Sequence, residues 1–384
     1  MKILHTADLH IGKRLHEQSL LEDQKYILEQ IVTIAKKHKV DVVVIAGDVY
    51  DRPVPPAEAV SLLDEFLTTL IKEEIKVIMI SGNHDSPERV AFADRILEKQ
   101  GLYIAGNYER PLKTVVLSDE FGEVRFVCMP FVKPAVVVAD ASVQKDAAWA
   151  VEQMLSQTPM PLSLRQRAVL VTHYFVTGEN GESPELSDSE TDVNVGGLDN
   201  VPAGMFQMFD YVALGHIHKP QHIGMGPVYY SGSPLKYSFG EALSEKSVNL
   251  VELGEPGVGK VEKIPLKPMR ELRCIKGKLE ELIHPEVVSD GNAEDYLQVT
   301  LTDKEELIDP VSTLRSVYPN VLQVLLEKNL PKDQGIYESR LEIEQKSTEE
   351  LFGDFYEMLK GEPMDEIRQS IVRETAESCE DSVS

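Results

Sequence analysis

Residues 42–51 read Val-Val-Val-Ile-Ala-Gly-Asp-Val-Tyr-Asp. A short apolar run rich in β-branched residues suits a strand buried on both faces, and Gly47-Asp48 ends it in a turn. The signature recurs on either side. Lys2–His5 runs toward Asp8-Leu9-His10, and Val77–Ser81 runs into Gly82-Asn83-His84-Asp85. Between these strands lie two amphipathic stretches: Leu20–His38, with Ile27, Ile31, Ile34 and Ala35 on one face, and Pro56–Glu73, with Val60, Leu63, Leu67 and Leu70. Ser86-Pro87-Glu88 presents a capping residue and then proline at the first helical position, so a third helix is expected there. The alternation is βαβαβ, hence an α/β layered domain.

Further strands are expected at Val124–Met129, Ala168–Thr172, Tyr211–Leu214, Tyr229–Ser231 and Ser247–Leu253. The pattern resets around Pro265–Pro268. Residues 270–330 then read β-α-β-α-β: Arg273–Lys276, Leu279–His284, Tyr296–Thr302, Pro310–Val317 and Val321–Glu327. After Pro331 comes a polar linker. Ser347-Thr348-Glu349-Glu350 forms a capping box that opens a helix with an apolar stripe of Leu351, Phe352, Phe355, Tyr356 and Leu359. Gly361 and Pro363 break it, and a second helix is expected from Met364. A chain of 384 residues suits this division into 1–268, 269–330 and 331–384.

No apolar run approaches the roughly 18–20 residues that span a bilayer, and no charged-then-apolar leader precedes Lys2, so a cytoplasmic location without a membrane is expected. The three cysteines, Cys128, Cys274 and Cys379, have no paired spacing, which argues against a disulfide framework or a cysteine-bound zinc. The net charge of −25 sits awkwardly with a nucleic-acid substrate. The acid is unevenly spread, however: residues 331–384 carry 15 Asp/Glu against 6 Lys/Arg, and Glu179 to Asp199 holds seven acids and no Lys or Arg. What matters to a phosphate is the local field at the cleft.

The chemistry-bearing residues follow strands. Asp8-Leu9-His10, Gly47-Asp48, Gly82-Asn83-His84-Asp85, His173 and Gly215-His216-Ile217-His218 all lie at carboxyl ends of expected strands, where open α/β sheets place their sites. Asp and neutral His ligate Mn²⁺, Fe²⁺ or Zn²⁺, and Asn adds a carbonyl oxygen. Each motif alone has an ordinary explanation as a turn, a cap or a satisfied structural histidine. All five in this order point to a metal site. An aspartate shared by two cations brings them to roughly 3.5–4 Å and permits two-metal catalysis.

This ordered set resembles the calcineurin-like metallophosphoesterase superfamily. The runs KILHTADLHIGK, AGDVYDRPVPP, SGNHDSPERV, ALGHIHKPQ and YSGSPLKYSF resemble, more closely, the SbcD branch of the Mre-type nucleases, densely over roughly residues 1–240. The resemblance implies a layered β-sandwich flanked by helices, with a small α+β capping domain and a C-terminal helical tail. It implies one metal on Asp8, His10, Asp48 and His218, and another on Asp48, Asn83, His173 and His216. His84 would face the scissile phosphate and assist the leaving oxygen, with Asp85 orienting or polarising its ring. Asp51 is given no ligand role but a hydrogen bond that shapes the site. The cofactors implied are two Mn²⁺, with Mg²⁺ or another divalent ion as substitutes. The implied activity is a DNA double-strand exonuclease and single-strand or hairpin endonuclease in repair, recombination and replication. ELFGDFYEMLKG resembles the segment by which such nucleases dock on the coiled-coil base of an SbcC-type ATPase, which suits helix-in-groove recognition. A homodimer within a heterotetramer is implied by the resemblance alone.

Two other readings compete. The metal motifs select phosphate rather than DNA, so a phosphoesterase acting on small molecules or proteins uses the same residues. The second domain and the helical tail favour the nuclease, since a compact phosphatase needs neither. A scaffold that has lost catalysis is disfavoured by intact His84 and all seven ligands. Two divalent ions against two ligand carboxylates leave the pocket locally positive, which answers the objection from net charge.

Overall fold

The computed structural model describes residues 1–137, 145–159, 167–178, 181–187, 199–255 and 257–329, together with 352, 353, 356, 364, 368, 369, 372 and 373. Residues 1–327 form one compact unit and 328–384 a second. Of the expected tail stripe, Leu351, Phe355 and Leu359 lie outside the described residues, as does most of the acidic segment 179–199. Phe352 and Tyr356 are helical, and the Arg368 guanidinium lies 5.6 Å from the Tyr356 ring centroid.

Two six-stranded sheets build the larger unit. The first runs in the order Gly257–Pro265, Ser247–Gly254, Lys2–Thr6, Val42–Ala46, Lys76–Ile80, Leu102–Ala105. Its last four strands are parallel, and the first two are an antiparallel extension. The second runs Gln221–Ile223, Val228–Tyr230, Tyr211–Gly215, Arg167–His173, Gly122–Met129, Thr114–Asp119, with a parallel centre.

Strand alternation dictates the layers. Ile3, Val42, Val44, Ile78 and Ile80 face Val124, Phe126, Val169, Val171 and Ala213 in the apolar seam between the sheets. The alternate residues Leu4, Val43, Ile45, Val77 and Met79 pack outward under two helices, α1 (Leu21–His38) and α2 (Ala57–Lys72). On the far side Leu170, Val212 and Leu214 pack with Ala150, Val151 and Met154 of the helix Ala147–Ser156. The architecture is therefore α/β/β/α, and central strands buried on both faces explain the continuous apolar runs.

Three expectations need correction. On α2 the apolar face is Ala59, Leu62, Leu63, Phe66, Leu67 and Leu70, whereas Val60 is 46% exposed. The third helix is broken into Pro87–Val90 and Asp94–Leu97, because Ala93 adopts φ 61° between them. Proline does open the first piece, but the Ser86 hydroxyl donates to Glu88 Oε2 (3.0 Å) instead of accepting from the helix backbone. The strands Leu102–Ala105 and Gly257–Pro265 were not expected, the first for its shortness and the second because an edge strand is mostly polar.

Residues 272–326 form a parallel three-stranded sheet in chain order, Leu272–Gly277, Tyr296–Leu301 and Val321–Leu326. It has its own apolar cluster around Leu297, Val299, Leu301, Leu314 and Val321. A polar joint fixes its root to α1: Asp23 Oδ2 accepts from Tyr296 Oη (2.7 Å) and Arg270 Nη1 (2.9 Å).

The seam between the sheets should be sensitive to volume. Phe126 is fully buried there. Phe126→Ala should lower stability by about 3–5 kcal/mol through lost packing and a cavity. Chemical unfolding followed by tryptophan fluorescence and circular dichroism measures it, and a near-neutral result would contradict this layer assignment.

Candidate metal centre

The five motifs meet where both sheets end. Two loops are laced together by their backbones: Asp8 N–H donates to Gly47 O (3.1 Å), His10 N–H to Asp48 O (3.0 Å) and Ile11 N–H to Val49 O (2.9 Å). Asp8, His10, Asp48 and His216 all have positive φ, at 52°, 43°, 48° and 96°. Strain of this kind persists in non-glycine residues only where the surroundings over-determine it, and it gathers at functional sites. Two glycines are required by space. A Cβ on Gly82 would overlap the Asp48 carboxylate, and one on Gly215 would overlap the Ala46 carbonyl and the His173 ring.

All seven expected ligands converge. His10 Nε2 and His218 Nε2 face one another at 3.2 Å, and one ligand atom from each of Asp8, His10 and His218 lies within 4.8 Å of the other two. On the other side Asn83 Oδ1 lies 3.0 Å from both His173 Nε2 and His216 Nδ1. Asp48 sits between the two groups, its Oδ2 3.7 Å from His10 Nε2 and 3.4 Å from His173 Nε2. Its other oxygen, Oδ1, accepts from His84 N–H (2.9 Å). Asp8 Oδ1 accepts from His216 N–H (2.9 Å), while Asp8 Oδ2 is buried and accepts no hydrogen bond. An unsatisfied buried carboxylate oxygen beside converging imidazole nitrogens fits a cation, since such groups otherwise repel or stay desolvated without a partner.

The electrostatics agree. Burial pushes the Asp8 carboxyl up to about 7, although His173 and His218 draw it down. Burial lowers His216 to about 3 and holds His10 well below the usual imidazole range, so both rings are neutral and keep a lone pair for a metal. Burial also opposes charge on Asp48 and His173, but each offsets this for the other: His173 holds Asp48 well below the carboxylate range, and Asp48 lifts His173 to about 9.

His84 stands at the mouth of the nest, its side chain 42% exposed and its Nε2 4.0 Å from Asp48 Oδ2. Its Nδ1 faces the Asp51 carbonyl oxygen at 3.2 Å. The role expected for Asp85 is therefore corrected. Its carboxylate accepts from the backbone N–H groups of Val49 (3.0 Å), Tyr50 (2.9 Å) and Gly82 (2.9 Å), so it pins two motif loops together, and the His84 ring is oriented by Asp51 O instead. The Asp51 side chain, expected to shape the site, lies 2.8 Å from Lys13 Nζ.

Comparison with known proteins places this nest in a family. Residues 1–220 match the calcineurin-like phosphoesterase family, and residues 268–359 match SbcD_C, described as a type 5 capsule protein repressor C-terminal domain. The SbcD subunit of the SbcCD nuclease from Staphylococcus epidermidis is 34% identical over 97% of each chain. Its counterpart from Staphylococcus saprophyticus is 34% identical over 94% of each. The chain belongs to the SbcD family. Among solved structures, TT1561 of Thermus thermophilus matches with a TM-score of 0.40 at 12% identity, over 69% of this chain and 98% of its own. That likeness is too loose to bear on function.

SbcD membership makes the chain a hydrolytic nuclease subunit with a divalent-metal site, and the nest of Asp and His supplies the donors. Among the described residues no helix is long and apolar enough to cross a membrane. Several supporting residues were missed in the sequence. Gln24 of α1 donates to His10 O (2.7 Å) and accepts from Gly12 N–H (2.9 Å). Tyr237 donates to Leu9 O (2.5 Å), and its ring packs against His10 and His218. Gln24 left a faint signal, a polar residue on the buried face of an amphipathic helix.

A cation taken up by this nest would displace a proton from His173, which Asp48 lifts to about 9, and any on Asp8, which burial pushes up to about 7, so metal uptake should release protons. Calorimetric titration with Mn²⁺ at about pH 6 and about pH 8 should give tighter binding at the higher pH, with heats that follow the buffer's ionisation enthalpy. Binding independent of pH and buffer would place the ions elsewhere.

Proposed function

We propose that this chain cuts DNA phosphodiester bonds with two manganese ions, as a double-strand exonuclease and a single-strand or hairpin endonuclease within an SbcCD-type complex. Asp8, His10, Asp48 and His218 hold one ion, and Asp48, Asn83, His173 and His216 the other, with Asp48 shared. The observation that carries this reading is the 3.2 Å approach of His10 Nε2 and His218 Nε2 beside the unpartnered Asp8 Oδ2. When bound, the ions supply Lewis acidity at the phosphate and lower the pKa of an attacking water.

The chain's own residues do the rest. Asp85 holds the Asp48 and Asn83 loops in register through its three backbone bonds. Asp51 O accepts from His84 Nδ1–H, which leaves Nε2 free to meet the substrate at the open side of the nest. His84 then carries a proton to the leaving oxygen, a role that needs a ring held in place but not bound to metal.

In this reading residues 1–268 are the nuclease domain and 269–330 cap it and help bind DNA, which the start of the second family match at residue 268 supports. The helices around Leu351–Leu359 dock on an SbcC-type ATPase, and two copies of the chain pair within a heterotetramer in the cytoplasm. Its work lies in DNA repair, recombination and replication.

Two experiments test this. Cleavage of plasmid and oligonucleotide DNA, compared in Mn²⁺, Mg²⁺ and Zn²⁺, should be strongest in Mn²⁺, and His84→Ala should lose on the order of 10²–10⁴ in rate while still binding both ions. Loss of metal in that variant would move His84 into the ligand set, and hydrolysis of small phosphate esters without DNA cleavage would change the substrate class. In the second, Phe352→Glu with Phe355→Glu places two charges in the proposed contact, where burial without a partner is strongly unfavourable. Co-purification with the ATPase should fail while the free nuclease still cuts single-stranded DNA. Retained co-purification would exclude the tail as the docking element.

A further inference from the structure

Behind His218 lies a buried ion pair that the reaction as derived does not use. Glu241 and Lys246 are 2% and 5% exposed. Lys246 Nζ donates to Glu241 Oε2 (2.6 Å), to the His218 carbonyl oxygen (2.8 Å) and to Ser233 Oγ (2.9 Å). Glu241 Oε1 accepts from His218 Nδ1–H (3.2 Å) and from Ser238 Oγ (3.3 Å). The loop carrying the pair is itself clamped, since Lys236 Nζ donates to Ala242 O (2.7 Å) and to Glu271 Oε2 (2.7 Å) at the root of the three-stranded sheet.

A buried ion pair is weak evidence for stability, because desolvation offsets most of its attraction and an apolar pair of the same size often does as well. This one therefore calls for another reason. Its geometry supplies one. A carboxylate on the far nitrogen of a ligating histidine fixes the tautomer, aims the near nitrogen and raises its basicity. His218 presents its Nδ1 to Glu241 and its Nε2 to His10 and Asp8. The far nitrogens of two other ligands meet different groups: His173 Nδ1 donates to a backbone carbonyl, Ala46 O (2.8 Å), and His10 Nδ1 lies 3.8 Å from Asp51 Oδ1, beyond hydrogen-bond range.

We infer that Glu241 is a positioning residue for one metal ion only, holding the His218 ring so that its Nε2 completes the site made with Asp8 and His10, while Lys246 holds Glu241 in turn. The inference rests on the reading of Asp8, His10 and His218 as ligands of one cation. It places the determinant of that ion's affinity in the segment 233–246, outside every metal-ligand motif.

The test uses the full-length protein and Mn²⁺ alone, followed by equilibrium titration and electron paramagnetic resonance. Wild-type protein should bind two ions and give the spectrum of a spin-coupled pair. Glu241→Gln should keep one ion at wild-type affinity and bind the other about 10–100-fold more weakly, the usual loss when such an outer partner is removed. At limiting Mn²⁺ it should show the six-line signal of an isolated ion. Because Glu241→Gln removes the carboxylate that Lys246 Nζ meets at 2.6 Å, Glu241→Gln with Lys246→Met is made alongside it, and the same selective loss is expected. Two ions at wild-type affinity in a folded variant, or equal weakening of both ions, would overturn the inference and leave a purely structural ion pair. If wild-type protein binds no Mn²⁺, the ligand assignment itself fails, and the role of Glu241 with it.

Discussion

One hydrogen bond ties the architecture to the site. His173, the last residue of its strand in the second sheet, donates Nδ1–H to the carbonyl of Ala46, the last residue of its strand in the first. The 2.8 Å bond fixes how the two sheets meet at their carboxyl ends and leaves His173 Nε2 aimed at Asp48 and Asn83. It can form only because Gly215, paired with His173 in the neighbouring strand, has no side chain to fill the space between ring and carbonyl. Deeper in the seam His5 repeats the device, with its Nε2 at the carbonyl of Leu214 and its Nδ1 at the Tyr211 hydroxyl.

From that constraint the centre acquires its character. The sheets exclude water, so the carboxylates and imidazoles at their ends are desolvated, and neutral imidazole becomes the favoured state of His10 and His216. Desolvation also makes the bare nest unfavourable, since Asp8 is driven to about 7 and Asp48 depends on His173 for its charge. The same burial that disfavours unpaired charge strengthens the hold on a cation, because attraction is weakly screened there. Left-handed backbone at Asp8, His10, Asp48 and His216 follows from the same constraint: sheet packing and the lacing of the loops hold conformations that an isolated turn would abandon.

The open side of the nest differs from its floor. His84 is half-exposed and tethered through the Asp51 carbonyl. The floor is rigid, built by Asp85 on three amides, by Gln24 under His10 and by Tyr237 under Leu9. The rim is therefore open to solvent, and the groups that hold the loops together are buried below it.

Local chemistry was legible in the chain itself. Val42–Ala46 is a strand because β-branched apolar residues suit a doubly buried position, and the residues just after the strand ends carry the donors because a chain leaving a sheet can turn side chains to one side. The seven residues proposed as ligands, which the structure brings together, and the positions of the main strands follow from such rules together with family resemblance. Tertiary packing decided the rest. Val60 is exposed because α2 sits on the sheet rotated from the face its spacing suggested, and the helix after Ser86 breaks because Ala93 turns left-handed. Asp85 serves backbone amides, and Glu241 lies 23 residues from the histidine it holds. Neither is visible in a motif, because a hydrogen-bond partner is chosen by which loops the two sheets bring together, and spacing along the chain says nothing about that.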